Sequence, residues 1–209
     1  MKNLTIPILT IAMIFSSCTN NETSKTANSE TAETIKQGAI KTEEKQSGSD
    51  ACMMPIPAGD SAKYISKQVT IKGDVENELT LTVDSLKKMN VITIENFKVV
   101  CQSGANMKED KNCKGILLKE ILEKAKIKQQ NHKDRNFYIV ARATDNYKAT
   151  FSWAEIFNNP TGENVYVLFE ENGMLIKAQG DMILICKNDI KTGPRHVYWL
   201  SSIEVKRVD

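Results

Sequence analysis

The stretch FKVVCQSG (residues 97–104) places a cysteine, Cys101, between an apolar, partly β-branched run and a small polar loop. β-Branched residues favour strands and glycine favours turns, so the pattern predicts a strand over residues 97–101 that ends at the thiol. A thiol held at a strand end can be a soft metal ligand or a reactive thiolate. Two other interpretations stay open, since free cysteines are often buried structural residues and an oxidising compartment permits disulfides.

Outward from this stretch, alternating or continuous apolar residues predict more short strands. They cover residues 69–72, 78–83, 91–95, 136–143, 148–151, 165–169, 174–177, 182–186, 196–200 and 202–205. The almost wholly apolar run 182–186 indicates a central strand. Helical spacing predicts a helix over residues 117–127, and Asp84 and Ser152 are the predicted N-caps of two short helices. Many short strands with few short helices indicate an α+β fold, a single domain of mixed or antiparallel sheet.

The N-terminus has the features of an export signal. Lys2 precedes an apolar run over residues 4–15, which is too short to span a bilayer and leads into the sequence FSSC, ending at Cys18. This ending resembles a bacterial lipobox, which implies a lipoprotein signal peptide over residues 1–17 and a lipid on Cys18. The expected location is then the bacterial cell envelope, lipid-anchored at the outer membrane or facing the periplasm. An ordinary cleaved signal that leaves a free cysteine is the alternative.

Composition divides the rest of the chain. Residues 18–50 are polar and almost free of large apolar side chains, which predicts a disordered tether. We expect residues 51–68 to be a linker or docking segment, and residues 69–209 are long enough for one domain with a core. The net charge of +2 and the lack of a basic stripe argue against a nucleic-acid partner.

Four cysteines follow Cys18, namely Cys52, Cys101, Cys113 and Cys186. They allow three complete sets of pairings, between which the sequence does not decide. A bond from Cys101 to Cys113 closes a short loop and is the favoured pairing. That bond would prevent Cys101 from binding a metal.

Between residues 69 and 207 the order of the segments resembles the molybdopterin-binding domain of the sulfite oxidase family. The motifs that carry the resemblance are GDVENELTLTVDSL (73–86), CKGILL (113–118), DNY (145–147), NGMLI (172–176), GPR (193–195) and WLSSIEV (199–205). The resemblance implies that family's fold, a molybdenum–molybdopterin cofactor, and a redox partner protein. It also implies that Cys101 is the catalytic cysteine whose sulfur binds molybdenum.

Four residues are candidates for cofactor binding. Arg195 and His196 follow a Gly-Pro pair, and an arginine suits bidentate contact with a phosphate. Tyr147 lies in the DNY turn and Ser103 in the loop after Cys101. The alternative is that these are ordinary residues of loops or the core rim.

Two functions remain open at this point. The first is a lipid-anchored oxidoreductase with molybdenum on Cys101. The second is a non-enzymatic module that kept the fold, lost the cofactor and binds another ligand or partner. The segment DMILICK (181–187) favours the second, because it lacks the arginine and the proline that the family has there.

Overall fold

A computed structural model describes residues 61–104 and 110–208, which belong to one compact unit, Glu44–Asp209. The strands in these residues are β1 (Val69–Gly73), β2 (Leu79–Leu81), β3 (Ile92–Phe97), β4 (Lys111–Leu117), β5 (Phe137–Ala143), β6 (Lys148–Ser152), β7 (Val165–Glu171), β8 (Met174–Leu175), β9 (Ile183–Cys186) and β10 (Leu200–Arg207). The α-helices are α1 (Val83–Leu86), α2 (Leu118–Ala125) and α3 (Trp153–Phe157), and 3-10 helices cover Ser61–Tyr64, Pro160–Asn164 and Gly193–Arg195.

The predicted signal peptide, the lipidation residue Cys18 and the predicted tether lie outside the described residues. Within the described part of the chain, none of the helices has the length and apolar character needed to cross a membrane.

The strands form two sheets. The first has the order β2-β1-β10-β5-β6, in which β1 and β10 are parallel and the other neighbours are antiparallel. The second has the order β3-β4-β7-β8, with β9 also paired to β7, and is antiparallel throughout. The predicted α+β class, a single domain of mixed and antiparallel sheet with short helices, is confirmed.

The second sheet contributes buried side chains from both of its faces. One face of it contributes to the larger core, together with the first sheet and α2. The other face contributes to a second group of side chains, here called the smaller cluster. Its buried members are Ile94, Phe97, Val99, Cys113, Tyr166, Leu168, Ile176, Ile183, Ile185, Tyr198 and Trp199.

Burial on both faces explains the apolar run in β9. Ile183 and Ile185 point into the smaller cluster, whereas Leu184 and Cys186 point into the larger core. Among the described residues, β9 forms a ladder only with β7 and adds one bridge, from Leu184 to Val197. The prediction that residues 182–186 form a central strand is therefore wrong. The residues of β9 are apolar because its two faces pack into the two clusters, and not because a strand pairs with it along each edge.

The segment before Cys101 also differs from the prediction. β3 is continuous over Ile92–Phe97, with an irregular register between Ile94 and Phe97, and the chain then leaves the sheet apart from one bridge residue at Val100. The predicted strand over residues 97–101 is therefore wrong, and Cys101 lies on a loop. The strand predicted over residues 196–200 is wrong in the same way, since β10 begins only at Leu200.

The two predicted helix starts have different outcomes. Ser152 caps α3 as predicted: its hydroxyl accepts a hydrogen bond from the Glu155 N–H, and the Glu155 carboxylate accepts one from the Ser152 N–H. The prediction of Asp84 as an N-cap is wrong, because Thr82 caps α1 through a reciprocal pair with Ser85. Asp84 lies in the first turn instead, where a negative charge suits the helix dipole.

Candidate functional site

The loop that carries Cys101 is held by a second loop around Thr192. The Thr192 hydroxyl accepts a hydrogen bond from the Val100 N–H at 2.8 Å and donates one to the Lys98 carbonyl at 3.0 Å. The Gly193 N–H donates to the Val100 carbonyl at 2.8 Å. Thr192 is buried, so these bonds satisfy groups that would otherwise lose water, and they fix the backbone that leads into Cys101.

Two glycines allow this close approach. A Cβ atom at Gly193 would lie 3.0 Å from the Val100 carbonyl oxygen and 3.3 Å from the Cys101 Cα. Gly104 has a φ of +88°, a left-handed conformation that other residues rarely adopt, and its N–H donates to the Cys101 carbonyl at 2.8 Å. The backbone on both sides of Cys101 is therefore tightly defined.

Replacing Thr192 with valine is expected to lower the free energy of unfolding by about 1 to 2 kcal/mol, because the Val100 N–H and the Lys98 carbonyl lose their partner. Thr192→Ser keeps the hydroxyl and is the matched control. Urea unfolding measures the loss, and hydrogen exchange at the Val100 and Gly193 amides should accelerate in the valine variant alone. Equal exchange in the two variants would contradict this role of the hydroxyl.

Cys101 itself is 4% exposed, and its sulfur is in a disulfide bond. Cys113 and Cys186 are free, buried thiols, so the predicted Cys101–Cys113 pairing is wrong. The reason is the unforeseen strand β4, which pairs Cys113 with Ile94 of β3 and directs its side chain into the smaller cluster. In the disulfide form Cys101 has no thiolate to offer, so its role as catalytic residue and metal ligand stays a prediction for the reduced protein.

Arg195 is the centre of an ion-pair network. Its Nε donates to Asp189 Oδ2 at 2.7 Å, its Nη2 donates to Asp189 Oδ1 at 2.5 Å, and its Nη1 donates to Glu155 Oε1 at 2.9 Å. The guanidinium carbon also lies 4.4 Å from the centre of the Phe151 ring. Hydrogen bonding to Asp189 is the main cause that raises the pKa of Arg195. A phosphate would have to compete with two carboxylates for this side chain.

Tyr147 joins the same loop. Its hydroxyl donates to the Pro194 carbonyl at 2.7 Å, and partial burial raises its pKa. Ser103 lies exposed in the turn that follows Cys101. The loop that contains Gly193 and Pro194 therefore lies against the Cys101 loop, accepts the hydrogen bond from Tyr147 and carries Arg195. Ser103 lies at the protein surface.

His196 is inside the protein and not on an exposed loop. Its ring stacks on Tyr198 with 4.2 Å between ring centres and meets the Phe97 ring edge-on at 6.0 Å. Burial, with a smaller contribution from the Lys111 charge, lowers the pKa of His196 to about 3. The ring is therefore neutral at pH 7 and makes no ionic contact with a phosphate.

Both ring nitrogens of His196 and the hydroxyl of Tyr198 are buried with no hydrogen-bond partner among the described residues. Such atoms are rare in folded proteins and indicate a place where a polar ligand or an ordered water binds. They lie next to the Cys101 loop, because the His196 N–H donates to the Gly193 carbonyl, and Val99 belongs to the same cluster as Tyr198.

The sequence analysis missed several residues of this region. Asp189 lies six positions before Arg195 in the same loop, and this proximity of an acidic and a basic residue could have predicted their ion pair. Nothing in the local sequence marks Thr192 as the residue that holds the Cys101 loop, since its partners are about ninety positions away.

The comparison with protein families decides which group the chain is part of. A family model described as oxidoreductase molybdopterin binding domain matches residues 53–209. The chain belongs to this family. The resemblance to the molybdopterin-binding domain of the sulfite oxidase family is therefore confirmed, and the domain is of the molybdopterin-binding oxidoreductase type.

Among solved structures, the sulfane dehydrogenase SoxCD from Paracoccus pantotrophus has a similar fold, with a TM-score of 0.52 and 19% sequence identity. The match covers 69% of this chain and 40% of that chain, so this chain spans less than half of the other's length. At this identity the similarity is one of fold. No match was found among curated proteins.

The family implies a molybdenum–molybdopterin cofactor, and the site has some of the groups that would bind it. The buried, unpartnered atoms of His196 and Tyr198 are able to form hydrogen bonds with a polar ligand. The described residues contain no group of three or more His, Cys, Asp or Glu placed to hold a metal ion. Cys101, His196 and Tyr198 therefore fit the molybdenum–molybdopterin cofactor when the Cys101 sulfur is reduced, but not when it is in a disulfide.

Proposed function

We propose that this chain is an oxidoreductase that binds a molybdenum–molybdopterin cofactor through the thiolate of reduced Cys101. Family membership supports the cofactor class. The single observation that supports this location is the set of buried, unpartnered polar atoms of His196 and Tyr198 beside the Cys101 loop. The bound cofactor would supply the electron transfer.

The protein's own residues would do the holding and orienting. Thr192 and Gly193 fix the backbone before Cys101, so the thiolate would be presented from a rigid loop. His196 and Tyr198, both of which are buried, would offer hydrogen bonds to the cofactor. Arg195 and Tyr147 would act as positioning residues, because their polar atoms are bonded within the protein and hold the Gly193–Arg195 turn.

We further propose that the chain works in the bacterial cell envelope, anchored to the outer membrane or facing the periplasm through a lipid on Cys18. Its signal-like N-terminus and the sequence FSSC support this location. A redox enzyme at this position requires a partner protein that accepts or supplies electrons, which is the partner class we propose.

The test is to purify the full chain from a host that makes the cofactor, with a dithiol reductant present, and to measure molybdenum and pterin per chain. We expect close to one of each in the wild type and a loss of at least tenfold in Cys101→Ser. Cys186→Ser is the matched control, because it changes another buried cysteine and should keep the metal. Absence of molybdenum from reduced, folded wild type would contradict the proposal.

A second candidate function is a cofactor-free module that binds another ligand or partner through the same region. The observation that favours it is the Arg195 network, in which Nε, Nη1 and Nη2 already donate to carboxylates. The metal measurement separates the two candidates, since a folded protein with no molybdenum under reducing conditions would leave only this one.

A further inference from the structure

The outer face of the first sheet carries an excess of positive charge. Side chains alternate along a strand, so every second residue of β1, β5 and β10 enters the larger core and the others point away from it. The strand register places five charged residues together on the outward side, namely Lys72, Arg142, Lys148, Glu204 and Lys206. These five residues are here called the basic face.

The basic face holds four positive charges and one negative charge, an excess of three. The whole chain has a formal net charge of only +2. The excess is not visible as a run in the sequence, because its residues come from four different strands. The fold therefore concentrates on one surface a charge that the composition does not reveal.

Glu204 lies between three of the cations. Its carboxylate is 2.8 Å from the Arg142 Nε, 3.5 Å from the Lys72 Nζ and 3.5 Å from the Lys206 Nζ. One carboxylate neutralises only one of them, so like charges are held close together. An external anion would relieve their repulsion.

The fourth cation has only neutral partners among the hydrogen bonds of the described residues. The Lys148 Nζ donates to the Asn146 carbonyl at 3.3 Å and to the Asn146 Oδ1 at 2.8 Å. Lys148 is opposite Arg142 in the register of β5 and β6, so it extends the positive surface towards the edge of the sheet.

The positive groups are also the exposed ones. The side chains of Lys72 and Lys206 are 49% and 44% exposed, whereas that of Glu204 is 14% exposed. The Arg142 side chain is 30% exposed, and Lys148 is exposed as a residue. A ligand that approaches this surface therefore meets the cations before it meets the carboxylate.

We propose that the basic face binds the headgroups of anionic phospholipids and so holds the outer face of the first sheet against the membrane. The inference rests on the proposed lipid-anchored location, which brings the domain to a membrane surface, and does not depend on the cofactor. Lysine and arginine side chains donate charge-assisted hydrogen bonds to phosphate oxygens, and anionic lipids attract such clusters.

The other side chains of this surface favour a lipid surface over an acidic protein. The centre of a protein interface is rich in exposed aromatic and apolar side chains. On the outward side of the described strands, Val140 is 5% exposed and Tyr138 is half-buried. The remaining outward neighbours are small and polar, namely Thr70, Thr80, Thr150, Ser152 and Ser202. Such a surface offers charge without an apolar core.

The test compares the mature, lipid-anchored chain on two kinds of vesicle. One is pure phosphatidylcholine and the other contains about 30% phosphatidylglycerol. Acetic anhydride modifies exposed lysines, and mass spectrometry measures the rate at each position. We expect Lys72, Lys148 and Lys206 to react about threefold more slowly on the anionic vesicles, and about 0.5 M NaCl to remove the difference by screening.

Lys119, Lys124 and Lys126 are the internal controls. They lie in or directly after α2, which packs against β4 and β7 of the second sheet, so they do not share a surface with the basic face. Their reaction rates should be the same on both vesicles. Slower reaction of all six lysines would overturn the proposal, because it would show adsorption without a preferred face.

Charge variants provide a second test, with the protection of Lys72 on anionic vesicles relative to neutral ones as the readout. Glu204→Gln removes the only negative charge of the basic face and should increase the protection. The double variant Lys148→Gln, Lys206→Gln should abolish it. Lys119→Gln, Lys124→Gln removes the same charge at α2 and should leave it unchanged. Circular dichroism checks that each variant is folded.

The outcomes separate this proposal from the proposed location. Equal modification of the basic face on both vesicles would overturn the lipid contact and leave an acidic protein as the partner that the charge fits. If mass spectrometry finds Cys18 without a lipid, the proposed anchor fails. Sedimentation of that chain with the same vesicles then tests the face: binding to the anionic vesicles alone supports it, and binding to neither overturns it.

Discussion

Lowering the pH from 7 to 5 is expected to reduce the free energy of unfolding of the wild type by about 2 kcal/mol through His196 alone. The ring is buried, and burial with the Lys111 charge lowers its pKa to about 3. The ordinary value is 6.5, so on unfolding at pH 5 the ring takes up a proton that the folded state does not bind. Stability is therefore full above pH 6.5 and falls as the pH decreases towards 3.

The groups around His196 do not stabilise its protonated form, so the loss of stability at low pH is not offset. Lys111 is held by Glu171 at 2.7 Å, so its charge stays in place, and the Tyr198 hydroxyl on the stacked ring has its pKa raised by burial and is neutral. No carboxylate among the described residues makes an ion pair or hydrogen bond with His196 that would favour its charged form. Protonation would leave a buried cation with no counter-charge in contact.

The measurement is urea unfolding at pH 7 and pH 5. The extra loss should disappear in His196→Gln, which cannot titrate, and should persist in His132→Gln, which makes the same replacement at an exposed loop residue. NMR should show a neutral His196 ring at pH 5. An identical pH dependence in wild type and His196→Gln would refute the buried, neutral assignment.

Much of the fold could be predicted because its signals are local. The helix α2 follows from the spacing of Leu118, Ile121, Leu122 and Ala125, all of which are buried. The Ser152 cap follows from a serine three residues before Glu155, and the hairpin of β5 and β6 follows from an Asp-Asn turn between a largely apolar run and an alternating run. In each case a few neighbouring residues determine the structure.

The features that were missed depend on distant parts of the chain. β4 reads as a polar, glycine-containing segment, and only its pairing with β3 on one side and β7 on the other makes it a strand. His196 was a candidate for cofactor binding because it follows a Gly-Pro pair, but the 3-10 turn at Gly193–Arg195 directs its ring onto Tyr198 and Phe97. The pairing of Cys101 could not be predicted for the same reason, since several pairings agree with the spacing alone.

Replacing Arg195 with methionine is expected to lower the free energy of unfolding by about 3 kcal/mol, because Asp189 and Glu155 lose their partner in a partly buried site. The side chain of Asp189 is 17% exposed and that of Arg195 22% exposed, so water compensates only part of the loss. Lys206→Met is the matched control. It removes a more exposed, looser pair, Lys206 to Glu204 at 3.5 Å, and should change stability by less than about 0.5 kcal/mol.

The stability difference between wild type and Arg195→Met should also depend on pH, which gives a second measurement. Burial acts to raise the pKa of Glu155, but hydrogen bonds from Ser152 and Arg195 outweigh it and lower the pKa below 4.5. The stability that the pair contributes is therefore present above pH 4.5 and lost as the pH falls through the lowered pKa. The gap between wild type and Arg195→Met in urea unfolding should narrow below pH 4.5, and a constant gap would contradict the ionic contribution of Glu155.

The same variant decides between two roles of Arg195. If it holds the Gly193–Arg195 turn, as its bonds indicate, Arg195→Met should speed hydrogen exchange at the Gly193 amide, and inorganic phosphate should not stabilise the wild type. If it were mainly an anion binder, phosphate would raise the melting temperature of the wild type but not of Arg195→Met. The two carboxylates around one guanidinium leave this corner with a net negative charge, which repels phosphate and favours the first role.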